Sequence, residues 1–292
     1  MNLQWYPGHM TRAKRVMEEN LRLVDVIAEL RDARLPASSA NPDLEKLGKN
    51  KQRLLILAKA DLADPAVTAQ WEEYYRCRGY LTVALDARQK KQLNEVKDRL
   101  AQAAEEKRKK DAARGIKNRP VRIMVAGIPN AGKSTLINSL AGRASARTGD
   151  KPGVTKGIQW IRLGSGIELM DTPGILWPKF KDEAVGIRLA LMGSIHEEIL
   201  PLEELSLKGF HLLRESYPSA VRDAYSIETE DPLRFLEELA VKNGFLMKGG
   251  EIDTVRAARR FLDDWQKGKL GRISLERPAP KSGKEGENES VS

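Results

Sequence analysis

The sequence predicts an α/β fold: a doubly wound, mostly parallel sheet of the P-loop kind, cut and rejoined so that its two halves come in reversed order, then a small all-α domain. Three observations predict it. Val121 to Leu140 (VRIMVAGIPNAGKSTLINSL) reads as a buried strand, a glycine-rich turn and a helix start in immediate succession. A strand-ending K-x-D, Lys59-Ala60-Asp61, lies upstream of that unit and has no counterpart downstream of it. From about Lys181 onward, apolar and charged residues alternate at helical spacing with no strand signal of weight.

Gly127, Gly132, Lys133 and Ser134 fill the pattern G-x-x-x-x-G-K-[ST]. In such a loop the backbone N–H groups, here those of Asn130, Ala131, Gly132, Lys133, Ser134 and Thr135, wrap a pyrophosphate at a helix N-terminus. Lys133 reaches the outer phosphates, and the Ser134 hydroxyl is a hard oxygen ligand suited to Mg²⁺. The competing reading, a plain glycine turn, does not account for the strand and helix patterns on both sides.

The chain has 292 residues, enough for two domains with real cores, and its 41% hydrophobic content is ordinary for a soluble protein. No apolar run approaches the ~20 residues that cross a bilayer, and MNLQWYPGHM has no signal-peptide core, so the expectation is a cytoplasmic protein without a membrane partner. Cys77 is the only cysteine, which excludes an intramolecular disulfide and disfavours a cysteine metal site. A net charge of +9 suggests a polyanionic partner without choosing among nucleic acids.

Taken in order, the aromatic and glycine cluster Trp5 to His9 precedes a helix with Thr11 as a plausible N-cap. Val24 to Leu30 reads as a buried strand that exits into Arg31-Asp32-Ala33-Arg34 and Pro36, at the strand end where open α/β sheets meet ligands. Arg53 to Ala58 is a second strand, Trp71 to Arg78 a helix, Tyr80 to Leu85 a third strand, and Gln92 to about Lys110 a long helix. The stretch Glu105 to Arg122 carries eight Lys/Arg against three acids; contact with phosphate backbones and a solvated helix end with linker are both open. After the phosphate loop, Thr148 to Thr155 is rich in turn formers. Ile158 to Leu163 and Ile167 to Met170 form a hairpin whose second strand delivers Asp171-Thr172-Pro173-Gly174.

Phosphate loop, Thr155, hairpin and D-x-x-G make up the phosphate half of a GTPase. Asp171 and Thr155 would join Ser134 in holding Mg²⁺, and the Gly174 N–H would meet the γ-phosphate. The base-reading half is Ala58-Lys59-Ala60-Asp61, upstream. A carboxylate there accepts both N1–H and the N2 amino group of guanine, a donor pair adenine lacks, while the Lys59 stem packs on the ring.

WYPGHM, RDARLP, GIPNAGKST, DKPGVT and DTPGILWPKF occur in the order that characterises circularly permuted GTPases of the ribosome biogenesis GTPase A type, which the chain resembles over about residues 1 to 275. The resemblance implies a cytoplasmic GTPase acting late in assembly of the large (50S) ribosomal subunit, with GTP/GDP and Mg²⁺ bound. It further implies a partner in the precursor subunit and its rRNA, with ribosomal proteins as further contacts, and a monomer off the ribosome. The residue patterns set boundaries of 1 to 180 for the GTPase domain (base-reading half 20 to 110, phosphate half 120 to 180), 181 to 275 for a helical domain, which the resemblance makes RNA-binding, and 276 to 292 for a disordered tail. Two departures stand out: Ala58 replaces the family's asparagine, a lost contact beside the base of about 1 kcal/mol if water fills in, and Ala84 replaces a polar residue in the loop after the next strand. Both bear on guanine selectivity.

Ile175 follows Gly174 where Ras-like enzymes place the glutamine that orients the attacking water, and its side chain cannot hydrogen-bond. His9 is the candidate for that task, by its chemistry and by the resemblance; its alternative is to fix the N-terminal turn. Asn130 resembles the asparagine with which related GTPases help coordinate K⁺, or else satisfies its own loop. Helices are expected over Ala184 to Met192, Leu202 to Tyr217, Pro232 to Asn243 and Ile252 to Gln266. On the last, Arg256, Arg259, Arg260 and Lys267 form either an RNA contact or a solvated face. The runner-up function is a nucleotide-gated module for another RNA or processing partner with little hydrolysis; an ATP-dependent kinase would need an acceptor site that the sequence does not display.

Overall fold

The computed structural model describes residues 8–116, 119–142, 159–163, 166–177, 180 and 182–280, with the side chains at 9 and 13 excepted. Six strands form one sheet: β1 (Val26–Asp32), β2 (Gln52–Ala58), β3 (Leu81–Leu85), β4 (Val121–Gly127), β5 (Gln159–Leu163) and β6 (Ile167–Asp171). Their order is β3-β2-β1-β4-β6-β5, parallel throughout except for β5, which pairs antiparallel with β6 as the hairpin requires. The chain builds one side of the sheet outward from β1 to β3 and returns along α4 (Lys90–Ala113) to β4 at the centre. Strand order therefore reverses between β1 and β4, the position where open α/β sheets bind ligands at their carboxyl edge.

Parity along the strands assigns the two faces. Val26, Ala28 and Leu30 of β1 share a core with Val96 and Leu100 of α4 and with Leu136 and Ile137 of α5 (Lys133–Ala141). The alternate residues face the other side: Ile27 packs with α1 (Gly8–Leu21) and α2 (Pro42–Leu47), and Leu55 and Leu57 pack with α3 (Pro65–Arg76). Beyond the sheet, α6 (Glu183–Leu191), α7 (Leu202–Ser216), α8 (Ala220–Tyr225), α9 (Pro232–Lys242) and α10 (Thr254–Gln266) enclose Phe210, Phe235, Phe261 and Trp265.

Several boundaries differ from expectation for readable reasons. Helix α1 begins at Gly8, before Thr11. Helix α3 starts at Pro65, well before Trp71, because Asp64 accepts from the Ala66 and Val67 N–H groups and proline suits the first turn. Strand β1 continues through Arg31 and Asp32, expected as loop, and the short α2 and α8 were not expected. Glu276, placed at the head of a disordered tail, instead accepts hydrogen bonds from the Ala37 and Ser38 N–H groups; residues 281–292 lie outside the described residues.

Between the two apolar clusters on the α3 side sits a buried charge cluster. Glu29, with no exposed surface, accepts from Arg31 Nε at 2.9 Å and pairs with Arg53, while Arg31 donates to the Tyr75 hydroxyl at 2.9 Å. Burial alone would raise the Glu29 carboxyl, but the two guanidiniums outweigh it and hold it below its ordinary value. A depressed folded value means that the ionised carboxylate stabilises above its unfolded value, and that this contribution is lost as pH falls through the folded one. Glu29→Ala, which strands two buried cations, is expected to cost about 3–5 kcal/mol. Urea unfolding at neutral pH measures it, and a loss below about 1 kcal/mol would contradict this account of the cluster.

A nucleotide site at the carboxyl edge of the sheet

The parallel strands deliver every described motif to one edge: Asp32 ends β1, Lys59 to Asp61 follow β2, the phosphate loop follows β4, and Asp171 ends β6. Close packing dictates the first of the loop's glycines and backbone conformation the second. A Cβ at Gly127 would lie 2.5 Å from the Leu30 carbonyl oxygen, and Gly132, with φ at +93°, caps α5 in the left-handed region. Lys133 is 6% exposed and donates to the carbonyls of Gly127 and Ile128 at 3.2 and 2.8 Å. Its burial pulls the ammonium pKa down to about 8, with Asp171 opposing and Lys59 adding to the fall. A polyphosphate in the loop would restore full charge to that lysine.

The D-x-x-G segment lies against the same loop. A Cβ on Gly174 would meet Pro129 Cα at 2.6 Å and Lys133 Nζ at 3.0 Å. The Thr172 hydroxyl donates to the Val125 carbonyl at 2.8 Å, and Asn41, a residue the sequence did not single out, donates to the Ile175 carbonyl at 3.1 Å. Ile175 is 2% exposed and packs with Met17 and Leu21 of α1. Helix α1, on which His9 is the second residue, is thereby anchored to the D-x-x-G segment. The His9 side chain and Thr155 lie outside the described residues. Asp171 sits opposite Val125 in the β4–β6 register and, with the Ser134 hydroxyl at the start of α5, supplies the hard oxygen donors that Mg²⁺ prefers.

On the other side of β1 from the phosphate loop, two D-A-R turns flank β2. Asp32 accepts from the Arg34 backbone N–H at 3.1 Å and from its guanidinium at 2.9 and 2.7 Å. Asp86 accepts from the Arg88 backbone N–H and Nε, both at 3.0 Å. The first turn places Asp32 3.4 Å from Lys59 Nζ; the second carries Arg88 Nη2 to 2.6 Å from Asp61 Oδ2. The repeated D-A-R is the one mark that this cradle leaves in the sequence. Burial would raise Asp32, but Arg34 and Lys59 outweigh it and keep it ionised. Arg88 is 74% exposed at its side chain, so its hold on Asp61 is weak.

The structure corrects the reading of the two alanines. Ala84 is not in the loop: it lies within β3 on the α3 side, packed with the cluster around Tyr75, and the residues after β3 that reach Asp61 belong to the Asp86–Arg88 turn. Ala58 is 4% exposed and shares a core cluster with Leu85, so protein rather than water covers its methyl group. Asn130, at φ +58°, donates to the Gly193 carbonyl at 2.6 Å and so ties the phosphate loop to the end of α6. On α10, Arg256 covers the Phe245 ring at 4.4 Å, whereas Arg259 pairs with Glu197, Arg260 with Asp264 at 2.6 Å and Lys267 with Asp263 at 2.8 Å. All four are exposed, but three have a carboxylate partner that a polyanion would have to displace.

A central phosphate loop, D-x-x-G beside it and an upstream K-x-D at the same sheet edge define a circularly permuted P-loop GTPase. A family model described as "50S ribosome-binding GTPase" matches residues 122–213. The chain is 43% identical over 280 residues to ribosome biogenesis GTPase A of Bacillus licheniformis, covering 95% of this chain and 99% of that one. It is 33% identical to the Thermotoga maritima protein of the same name, covering 94% and 95%. Among solved structures, GNP-bound YlqF from T. maritima superposes with a TM-score of 0.70 at 30% identity, covering 92% of this chain and 99% of that one. The chain belongs to the ribosome biogenesis GTPase A family, and it hydrolyses GTP.

Proposed function

We propose that this GTPase acts in the cytoplasm in late maturation of the large ribosomal subunit, binding the precursor and its rRNA through the helical domain, and that the subunit accelerates its turnover. The observation that supports this most is the direct attachment of the helical domain to the nucleotide site, by Asn130 on Gly193 and by the chain after α10 on the base loop. Nucleotide state can thus bias the exposed face of Arg256, Arg259, Arg260 and Lys267. The relatives' shared name supports the choice of partner.

In this reading Lys133 and the backbone from Asn130 to Thr135 hold the phosphates, and Gly174 reports the γ-phosphate. Ser134, Asp171 and Thr155 would hold Mg²⁺, which would supply positive charge to offset that of the phosphates. Lys59 and Asp61 read the base, and His9 accepts a hydrogen bond from the attacking water. Asn130 contributes to a K⁺ site. GTP turnover with and without purified 50S subunits, each in K⁺ and in Na⁺, tests the proposal. Stimulation by subunits, larger in K⁺, is expected. A rate unmoved by subunits would favour the gated binding module instead, and equal rates in both salts would remove potassium.

A further inference from the structure

After α10 the chain does not leave the molecule but crosses the base-reading loop, and it satisfies that loop's backbone in register. Arg272 donates through Nη2 to the Ala60 carbonyl at 2.9 Å and through Nε to the Ala63 carbonyl at 3.0 Å. The Ile273 N–H donates to the Leu62 carbonyl at 3.0 Å, and the Ser274 hydroxyl accepts from the Asp64 N–H at 3.1 Å. Gly268 presses on Leu62 so closely that a Cβ would lie 2.7 Å from its Cδ2. Further along, the Leu275 N–H donates to the Arg34 carbonyl at 2.7 Å, and Arg34 in turn reaches back to the Gln266 carbonyl at 3.2 Å.

These bonds fall on a segment that needs them. Lys59 has φ +58°, a conformation that a residue with a side chain keeps only where its surroundings over-determine it. On the sheet side the loop is held by the Ala60 N–H on the Leu85 carbonyl and by Lys59 against Asp32. On the outer side the partners of the Ala60, Leu62 and Ala63 carbonyls come from the strap at 272–273. Since Asp61 lies between two of those carbonyls, the direction of its carboxylate depends on where the strap holds the backbone.

We propose that Arg272 is a positioning residue for guanine recognition: from the helical side it fixes the Lys59–Asp61 turn so that the Asp61 carboxylate meets the base edge. The inference rests on the reading of Asp61 as the base reader. It makes the base pocket a joint product of both ends of the chain, because the strap continues α10 directly.

The test compares affinities for GDP and IDP, which differ only in the exocyclic amine that Asp61 would accept. In Arg272→Ala the GDP-to-IDP preference is expected to fall about tenfold, as a charge-assisted pair of hydrogen bonds is lost, with Arg272→Lys recovering part of it. Arg272 is exposed at the surface, so the variant should keep its fold, which its melting temperature checks. A purely structural role would lower both affinities together and leave their ratio intact. Asp61→Asn is the control. If it erodes the preference and Arg272→Ala does not, the positioning role is overturned; if Asp61→Asn itself leaves the preference intact, the base-reader assignment fails and this inference with it.

Discussion

Lys133→Ala is expected to weaken GDP and GTP binding about 30- to 5,000-fold, the equivalent of truncating one partner of a buried, hydrogen-bonded charge pair. The lysine is enclosed by its own loop, with Nζ on the Gly127 and Ile128 carbonyls and within 3.0 Å of where a Gly174 Cβ would be. No other described cation occupies that position on the loop. Replacement should leave the fold intact, because Leu136 and Ile137 supply the apolar anchorage of α5. Titration with a fluorescent GDP analogue measures the effect, and an unchanged affinity would contradict the phosphate-loop assignment.

His9→Ala is expected to lower subunit-stimulated turnover by about 10²- to 10⁴-fold while leaving nucleotide affinity nearly unchanged. Ile175 cannot orient water and is committed to the apolar contact with Met17 and Leu21, so the segment after Gly174 offers no polar side chain at that position. The same contact docks α1 beside the D-x-x-G segment, which gives the helix that begins one residue before His9 a fixed relation to that turn. Single-turnover rates with 50S subunits, beside equilibrium binding, separate chemistry from affinity. Full stimulated turnover in the variant would make His9 structural and assign the water to another group.

Legibility in the sequence followed the range of the interactions. The phosphate loop, the β5–β6 hairpin and the D-x-x-G turn were readable because each is a local backbone pattern with its own residue signature. The order of the halves was readable because Lys59-Ala60-Asp61 follows a buried strand and nothing similar follows β6. The D-A-R turns were local too, yet as dipole and charge arrangements they leave no hydrophobic period, and only their repetition marked them. Ala84 was assigned to a loop that starts only after Leu85: it lies inside β3, where alternation sends Val83 and Leu85 to the α4 side and Ala84 to the other. The strap was beyond reach, since its bonds join backbone carbonyls near residue 60 to donors near residue 272, and a carbonyl carries no mark in the sequence. The cations of α10 were found, but their carboxylate partners on neighbouring turns and on Glu197 emerged only from packing.

In the function proposed above, the guanine pocket is built from the upstream half of a permuted sheet. Equilibrium affinities of the unmodified protein for GDP and ADP, measured side by side in Mg²⁺ buffer, test it most directly. If Asp61 accepts from the two guanine donors that adenine lacks, as proposed, GDP should bind at least about a hundredfold more tightly than ADP. Equal affinities would contradict the assignment of Lys59 and Asp61 and with it the upstream base-reading half.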